Sequence, residues 1–327
     1  NTSGSMSPSG WAQLVNYDTM YRKFEYEVKS NEDSISISER GVSVPILAEK
    51  NPSLIPWSKY GVDVVIEATG KFTSEEDAKR HALGGAKRVI ISAPSKGGNV
   101  GTYVLGVNPP PTKGEAGEAI VLSNASCTTN CVAPVAAVMH AKFGIEKAMM
   151  TTVHSYTDEQ NLQDGSHKDL RRARAAAQNI VPTTTGAAIA TTETIPELKG
   201  IFDGMALRVP VATGSITDFT FLLKKEVTVE EVNNAFKEAI DNPLYKGILA
   251  VSEGFLVSSD IIGRSESAIV DLPLTQVVAG NMVKVFAWYD NEWGYANRLV
   301  EQVIRVGRNI ESNKLPTDTI TLLHARY

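Results

Sequence analysis

The chain has 327 residues and a formal net charge of −5, with 43% hydrophobic and 21% charged residues. This balance is typical of a globular protein with one large or two smaller domains, and it excludes a disordered or fibrous chain. A net negative charge argues against binding to nucleic acid or to an anionic membrane surface, because both need a positive field. The two cysteines form neither a disulfide framework nor paired zinc-ligand motifs, so we expect no metal site.

The sequence also bears on where the protein works. Its first residues contain no basic stretch followed by an apolar run, and no window reaches the roughly 18 apolar residues of a membrane span. Two cysteines only four positions apart suit a reducing compartment. We therefore expect a cytoplasmic protein without a targeting signal.

The first third of the chain alternates strand-like and helix-like segments. Short elements open it, with a helix at 11–15 and antiparallel strands within 24–38 and 42–47. Continuous apolar runs then predict three buried parallel strands, at 63–67, 87–92 and 120–123. Thr73 is expected to cap a helix at 74–83, with Glu76 as its capping-box partner. This alternation predicts half of a doubly wound α/β domain with right-handed crossovers.

Longer, alternating strands replace this pattern in the second half of the chain. They are predicted at 148–154, 204–209, 216–223, 268–271 and 282–289. An amphipathic helix is predicted at 228–240 and a further helix at 298–309. The mixture indicates an α+β domain with an antiparallel or mixed sheet that is covered on one face. We expect a reduced, Rossmann-like domain from 1–126 with 291–327, and a catalytic domain at 127–290.

A cysteine lies where a predicted strand leads into an apolar helical stretch. Pro134 is expected in the first turn of this helix, where proline is tolerated. Cys127 then lies at a helix N-terminus, where the macrodipole and free backbone N–H groups favour a thiolate and an oxyanion. Cys131, one helical turn later, is expected to be a small buried core residue.

A nucleophilic cysteine needs a base, and the best placed of the five histidines is His154, at the end of a predicted strand. The other four lie on predicted helices, in a polar loop or near the end of the sequence. An arbitrary Cys/His pair is more often a core cysteine and a hydrogen-bonded structural histidine. The surrounding motifs decide between these two interpretations.

Several blocks of residues carry a resemblance to one family. Residues 126–131 read SCTTNC, and His154 follows Cys127 by 27 positions. Further blocks follow in order: HSYT at 154–157, DLRRAR at 169–174, PTTTGAA at 182–188, MALRVP at 205–210 and WYDNEWGY at 288–295. Over about residues 17–309, the chain resembles the phosphorylating glyceraldehyde-3-phosphate dehydrogenase family.

The resemblance implies a thioester mechanism. Cys127 attacks an aldehyde, His154 removes the hydroxyl proton, hydride passes to a nicotinamide, and inorganic phosphate cleaves the resulting thioester. The implied function is the conversion of glyceraldehyde 3-phosphate to 1,3-bisphosphoglycerate in glycolysis or gluconeogenesis, by a homotetramer. The implied phosphate-binding residues are Thr157 and Arg208 for the substrate, Ser126, Thr128, Thr185 and the backbone of Gly186 for inorganic phosphate, and Arg172 in a neighbouring loop. Glu159 stands where the family has aspartate.

The cofactor region departs from the family pattern. Five residues match the nicotinamide side of its NAD or NADP site: Thr69, Gly70, Ser92, Asn291 and Tyr295. The sequence contains no Gly-x-Gly-x-x-Gly turn between a strand and a helix, so roughly 30 residues of a Rossmann opening are expected to be missing. Thr2 aligns with the acidic residue that binds the ribose. We therefore expect weakened or atypical cofactor binding, and a tail at 315–327 that extends past the family's usual end.

Two alternatives stay open. A related enzyme on the same scaffold would oxidise erythrose 4-phosphate or another phosphorylated aldehyde, or would act mainly as an esterase or thioester-forming enzyme without efficient hydride transfer. A catalytically silent interaction protein would keep only the fold. The missing glycine turn is the reason that the silent protein stays open. The joint presence of the chemical residues argues against it; these are Cys127, His154, Thr157, Thr185, Arg208 and Asn291.

Overall fold

The computed structural model describes residues 1–110 and 120–311. The tail expected at 315–327 lies outside the described residues. None of the helices in the described part of the chain is long and apolar enough to cross a lipid bilayer.

A small unit of short elements opens the chain. It contains helix α1 (Pro8–Asn16), strands β1 (Tyr17–Asp18) and β2 (Arg22–Lys23), and an antiparallel sheet of β3 (Val28–Ser30), β4 (Ser34–Ile37) and β5 (Val42–Pro45). Ser7 caps α1 by accepting a bond from the Gly10 N–H, and Pro8 fills the first helical position, where its missing N–H costs nothing. The helix and the antiparallel strands predicted here are confirmed.

A parallel sheet follows. Its elements are β6 (Val64–Glu67), α2 (Glu75–Leu83), β7 (Arg88–Ile91), β8 (Gly101–Thr102) and β9 (Val121–Ser123). The strand order is β6-β7-β9-β8, with every pair parallel. Val89, Ile90 and Ile91 are fully buried because both faces of the central strand are covered. The three strands predicted from continuous apolar runs are confirmed.

The start of α2 differs from the prediction by one residue. Ser74, not Thr73, is the N-cap: its hydroxyl accepts a bond from the Asp77 N–H at 3.2 Å and lies 2.7 Å from the Asp77 carboxylate. Glu76 therefore has no capping role in this helix. Thr73 is buried in the loop before the cap, so its side chain is not free to fold back over the first turn.

A second, larger unit follows. In order, its elements are α3 (Cys127–Phe143), β10 (Ile145–Ser155), β11 (Val181–Thr183), α4 (Ala187–Thr194), β12 (Phe202–Val209), β13 (Ser215–Leu223), α5 (Val229–Ile240), β14 (Leu249–Ser252), β15 (Ala268–Asp271), β16 (Gln276–Val278) and β17 (Met282–Tyr289). Helix α6 (Trp293–Glu311) follows this unit and packs on the parallel sheet.

Eight of these strands form one sheet in the order β11-β12-β10-β13-β17-β15-β14, with β16 beside β17. The sheet is mixed, because β10 pairs in parallel with β12 and β14 pairs in parallel with β15. Every second residue of β13 is buried, and the stacked pair Phe219 and Phe221 shows how these residues share one face. This face packs against α3 and α5, which forms the main core.

Helix α3 begins earlier than its proline suggests. It starts at Cys127, and Pro134 lies inside it rather than in its first turn, so the predicted start just before the proline is wrong. Because Pro134 has no N–H, the helix lacks one backbone hydrogen bond, the one that position 134 would donate to the Asn130 carbonyl. The helix is buried almost all round, and tertiary packing compensates for this loss.

Helix α6 completes the parallel-sheet layer. Its Leu299 and Val306 pack on Ile90 and Leu122, whereas Ala78 of α2 packs on the alternate residues of the same strands. The parallel sheet therefore carries helices on both faces, which is the α/β arrangement expected from the sequence. The helix predicted at 298–309 is confirmed, with a start five residues earlier.

Candidate active site

The candidate nucleophile is held at a sharp turn between β9 and α3. Ala125 has φ +56°, a left-handed conformation that non-glycine residues rarely adopt and that is often found at functional sites. The next residue, Ser126, caps α3 by accepting a bond from the Thr129 N–H at 3.1 Å. Cys127 is thus the first residue of the helix, with its thiol beside the free N–H groups of the first turn.

His154, near the end of β10, faces this thiol. The Cys127 Sγ lies 3.4 Å from His154 Nε2, within hydrogen-bonding distance for sulfur. His154 is only 3% exposed, and the edge of its ring meets the Tyr289 ring at a centroid distance of 5.9 Å and an angle of 73°. The imidazole is therefore fixed with one nitrogen towards the thiol.

Arg208 meets the other side of this imidazole. It lies on β12 directly beside His154 in the parallel register, so the two side chains project from the same face of the sheet. Its Nη1 is 2.7 Å from His154 Nδ1 and 3.1 Å from the carbonyl oxygen of Ser155. The same Nδ1 lies 2.7 Å from that carbonyl oxygen. Within the described part of the chain, Arg208 Nε is buried without a hydrogen-bond partner.

Burial sets the protonation of the Cys/His pair. It raises the pKa of the Cys127 thiol, an effect that the nearby charge of Arg208 only partly offsets. Burial, followed by the charge of Arg208, lowers the pKa of His154 to about 3. Both shifts favour the uncharged thiol and imidazole over the ion pair. Burial therefore opposes the thiolate that the helix N-terminus favours.

A cavity of about 220 Å³ opens at this pair. Six of the seven predicted phosphate-binding residues line it together with Cys127 and His154: Ser126, Thr128, Arg172, Thr185, Gly186 and Arg208. Pro94, Thr152, Glu159, Thr184 and Ala206 complete the lining. Thr157 is the exception. It does not line the cavity, and its hydroxyl is buried without a hydrogen-bond partner among the described residues.

Two features make this cavity suitable for anions. Gly186 is the N-cap of α4, and a side chain at this glycine would meet no atom within 4 Å, so an anion can approach its backbone. Arg172 adds a second guanidinium to the lining, and its Nη1 forms an ion pair with Glu159 Oε2 at 2.8 Å. The glutamate that replaces the family's aspartate is thus paired with Arg172.

Asn291, a predicted cofactor residue, is oriented by three donors. Its Oδ1 accepts bonds from the Ser155 hydroxyl at 2.9 Å, the Ser215 hydroxyl at 3.0 Å and the Gly214 N–H at 3.1 Å. These bonds fix the amide, and they leave Nδ2 as a donor for an outside acceptor. Such a group fits the carbonyl oxygen of a carboxamide.

The other four predicted cofactor residues are placed differently. Thr69 and Gly70 follow β6, and Ser92 follows β7, at the carboxyl ends of the parallel strands where nucleotide cofactors bind in such sheets. Gly70 has φ +70° and open space around it. Tyr295, on α6, donates its hydroxyl to the Ala125 carbonyl at 3.0 Å, so it supports the turn before the nucleophile. None of the four lines the cavity at Cys127.

The buried carboxylate of Glu67 fixes the turn after β6. Both the N–H and the hydroxyl of Thr69 donate to one carboxylate oxygen of Glu67, and the other oxygen bonds His81 Nε2 at 2.8 Å. Trp57 Nε1 donates to His81 Nδ1 at 3.2 Å, which fixes the proton of a neutral His81 on Nε2. The bonds from His81 and Thr69 outweigh burial and hold the pKa of Glu67 below its usual value.

Comparisons with known proteins agree with this geometry. A family model described as "Glyceraldehyde 3-phosphate dehydrogenase, C-terminal domain" matches residues 126–291, and one described as the "NAD binding domain" of the same family matches residues 1–75. The chain belongs to the glyceraldehyde-3-phosphate dehydrogenase family. The C-terminal match spans the cavity's catalytic and phosphate-binding candidates.

Similar relatives come from several bacteria. A glyceraldehyde-3-phosphate dehydrogenase of Streptomyces coelicolor is 53% identical over 299 residues, which is 91% of this chain and 88% of that protein. The Bacillus cereus glyceraldehyde-3-phosphate dehydrogenase 1 is 52% identical over 290 residues, 89% of this chain and 85% of that protein. A Mycobacterium avium glyceraldehyde-3-phosphate dehydrogenase is 50% identical over 300 residues, 91% of this chain and 86% of that protein.

Sequence reasoning missed one residue of the active-site region, Tyr289. Tyr289 is 1% exposed, and its hydroxyl lies 2.9 Å from that of Thr128 and 2.8 Å from that of Thr152. It connects α3, β10 and β17 beneath the Cys/His pair. Its position as the last residue of an alternating strand was visible in the sequence, but its partners lie more than 130 residues away along the chain, and no local pattern reveals them.

Proposed function

We propose that this chain catalyses the oxidation and phosphorylation of glyceraldehyde 3-phosphate with NAD or NADP, through a thioester on Cys127. The observation that carries the proposal is the approach of Cys127 Sγ to His154 Nε2 at 3.4 Å, in a cavity lined by two arginines and three hydroxyl-bearing residues of the predicted phosphate set. Membership of the family supports the same substrate and cofactor.

The first step uses the neutral pair. His154 Nε2 accepts the thiol proton as Cys127 Sγ bonds to the aldehyde carbon, and it passes this proton to the carbonyl oxygen, which becomes the hydroxyl of a hemithioacetal. The N–H groups at the start of α3 stabilise negative charge on this oxygen during the attack. His154 then removes the hydroxyl proton as the C–H bond breaks. The oxidised nicotinamide, when bound, supplies the hydride acceptor, which leaves a thioester on Cys127.

Two anion sites complete the reaction. Arg208 Nε and Thr157 Oγ1 are buried polar atoms that have no partner in residues 1–110 and 120–311, and both belong to the set expected for the substrate phosphate. A phosphate oxygen would satisfy them, which removes the cost of leaving them unpaired. Inorganic phosphate is proposed to bind Ser126, Thr128, Thr185, the Gly186 backbone and Arg172. From there an oxygen attacks the thioester carbon and the Cys127 thiolate leaves, which gives an acyl phosphate.

The nicotinamide end of the cofactor site is proposed to rest on Asn291. The fixed Oδ1 leaves Nδ2 free to donate to a carboxamide oxygen, and the open backbone at Gly70, with Thr69 and Ser92, suits the rest of this end of the cofactor. Tyr295 is proposed to position the turn before Cys127 rather than to touch the cofactor.

Domain division and assembly belong to the same proposal. We propose a cofactor domain formed by 1–126 with 291–327 and a catalytic domain at 127–290, supported by the separate parallel and mixed sheets. A cytoplasmic homotetramer is proposed from the family, with support from three largely exposed leucine and isoleucine side chains: Leu162, Leu170 and Ile180. Light scattering of the purified protein tests the assembly, and a monomer at micromolar concentration contradicts it.

A steady-state assay tests the function. The protein is mixed with glyceraldehyde 3-phosphate, inorganic phosphate and either NAD or NADP, and the absorbance of the reduced nicotinamide is followed, with erythrose 4-phosphate in parallel. We expect glyceraldehyde 3-phosphate to have the highest kcat/KM, Cys127→Ala to abolish turnover, and His154→Asn to lower it by about 10²-fold or more. The matched control, Cys131→Ala, keeps turnover. A wild-type chain that reduces neither cofactor, or that prefers erythrose 4-phosphate, contradicts the proposal.

A further inference from the structure

A chain of buried hydrogen bonds lies behind the turn that follows β6. The Trp57 indole N–H donates to His81 Nδ1 at 3.2 Å, and His81 Nε2 lies 2.8 Å from one carboxylate oxygen of Glu67. An indole N–H can only donate, and an ionised carboxylate can only accept. The ring proton of His81 therefore lies on Nε2, and both bonds of the chain point towards Glu67.

The second carboxylate oxygen of Glu67 holds the turn itself. It accepts bonds from the Thr69 N–H at 2.8 Å and from the Thr69 hydroxyl. The Thr69 hydroxyl oxygen in turn accepts a bond from the Lys71 N–H at 3.2 Å. The single hydroxyl proton of Thr69 is thus directed inwards, so this side chain has no proton left to donate to a ligand in the cleft.

The outward side of this turn is backbone. Gly70 has φ +70°, a conformation that glycine adopts at little cost, and the space beside its Cα is open. The turn lies at the carboxyl ends of β6 and β7, where nucleotide cofactors bind to parallel sheets. Glycine adopts other conformations just as readily, so the turn needs a fixed partner to keep this one, and Glu67 supplies it.

We propose that Glu67 is a positioning residue for the dinucleotide cofactor. It does not touch the cofactor. It fixes the backbone of Thr69 and Gly70 in the conformation that binds, and His81 holds the carboxylate in place from behind. A turn that is ordered in advance loses less conformational entropy when the cofactor binds. The inference rests on the proposed function, because it requires NAD or NADP at this turn.

Glu67→Gln keeps the shape of the side chain and replaces one acceptor by a donor. The amide has a single oxygen, which faces either His81 or the Thr69 N–H. The Thr69 hydroxyl can rotate and accept a bond from the amide NH₂, whereas His81 Nε2–H cannot accept one. We therefore expect the amide oxygen to bond His81, which leaves the Thr69 N–H facing a donor and releases the turn.

Calorimetry of cofactor binding measures the consequence. We expect Glu67→Gln to raise the Kd for NAD or NADP about tenfold, which corresponds to about 1.4 kcal/mol. Thr69→Val is a milder change that leaves the Glu67–His81 pair intact, and because one of the two bonds to the turn remains, we expect a rise of about threefold. The matched control, Glu76→Gln, removes a charge from the exposed side of α2 and should change the Kd by less than about twofold.

A second substitution distinguishes positioning from general damage. Trp57→Phe removes the indole N–H from His81 Nδ1, so the ring can carry its proton there. In the Glu67→Gln background, Nε2 then accepts a bond from the amide NH₂, and the amide oxygen returns to the Thr69 N–H and hydroxyl. The double variant should therefore regain a Kd within about twofold of the wild type, although the lost indole lowers its stability further. Trp57→Phe alone leaves the bonds of Glu67 to the turn in place and should keep the wild-type Kd.

Nitrogen NMR reads the state of His81 without reference to binding. The protein is labelled with ¹⁵N-histidine, and the His81 signals are assigned with His81→Gln. We expect a protonated Nε2 in the wild type and a protonated Nδ1 in the double variant. A purely structural role of this chain of bonds predicts the opposite trend in affinity, with a Kd that worsens at each substitution.

The possible results separate this inference from the proposed function. If the wild type binds NAD or NADP and Glu67→Gln binds it equally tightly, the positioning role is refuted and the function stands. A double variant that binds no better than Glu67→Gln also overturns the role. Should Glu67→Gln fail to fold, an unchanged Kd in Thr69→Val overturns it. If the wild type binds neither dinucleotide, the proposed cofactor is refuted and the inference fails with it.

Discussion

Tyr289→Phe removes one oxygen atom from beneath the active site and leaves the ring in place. This hydroxyl is buried and bonds the Thr128 hydroxyl at 2.9 Å and the Thr152 hydroxyl at 2.8 Å. Thr152 keeps a neighbour, the Thr217 hydroxyl at 3.3 Å. The Thr128 hydroxyl also keeps a neighbour, the Cys127 sulfur. The substitution therefore removes one hydrogen bond from each of two buried hydroxyls.

The magnitude follows from these two bonds. A typical intramolecular hydrogen bond contributes about 1 kcal/mol net, and a buried group left without a partner costs about 1–3 kcal/mol. Because the ring volume and its contact with His154 are kept, no cavity contribution is added. We expect Tyr289→Phe to lower the free energy of unfolding by about 2 kcal/mol.

Urea unfolding followed by circular dichroism measures this change as a lower midpoint with an unchanged slope. Tyr245→Phe is the matched control, since this ring packs against the same core and its hydroxyl has no hydrogen bond among the described contacts. We expect the control to change stability by less than about 0.5 kcal/mol. Equal midpoints for Tyr289→Phe and the wild type would refute the view that Tyr289 joins α3 and β10 through its hydroxyl.

Three further predictions concern the residues around the nucleophile. Because burial lowers the pKa of His154 from 6.5 to about 3, the unfolded chain binds a proton here that the folded chain does not. The contribution of neutral His154 to the free energy of unfolding is complete above pH 6.5 and is lost as the pH falls towards 3. The urea midpoint of the wild type should therefore fall more steeply in this window than that of His154→Gln. Native protein takes up one alkyl group per chain and unfolded protein two, because Cys131 is fully buried; mass spectrometry showing two in the native state contradicts this. Ser126→Ala removes the cap of α3 and lowers stability by about 1 kcal/mol, which a calorimetric melt checks against the exposed substitution Ser9→Ala.

The fold was largely predictable because its strands are simple patterns. The run Val64–Glu67 is continuously apolar up to its last residue, and β13 alternates over nine residues, so length and period identify both. The cap of α2 was not decidable in this way. Thr73 and Ser74 can both cap a helix, and each has an acidic residue three positions later, Glu76 and Asp77. Ser74 caps the helix because Thr73 is buried, and burial depends on the tertiary structure.

In the active site, too, some features could be predicted from the sequence and others depend on tertiary structure. Cys127 and His154 were found from the motifs, because the family resemblance fixes their roles and the strand and helix patterns place them. Their protonation was not predictable, since a helix N-terminus favours a thiolate whereas the packing around Cys127 opposes it. The approach of Arg208 to His154 depends on the parallel pairing of β10 with β12, which joins residues 54 positions apart.

The central claim is that Cys127 carries the substrate as a thioester, and trapping this species tests it most directly. The protein is mixed with glyceraldehyde 3-phosphate and the oxidised cofactor in the absence of inorganic phosphate, quenched with acid, and digested for mass spectrometry. The account predicts one added phosphoglyceroyl group on the peptide that contains Cys127, and its release when phosphate is added before the quench. Reduction of the cofactor with an unmodified Cys127, or with the acyl group on another residue, would contradict it.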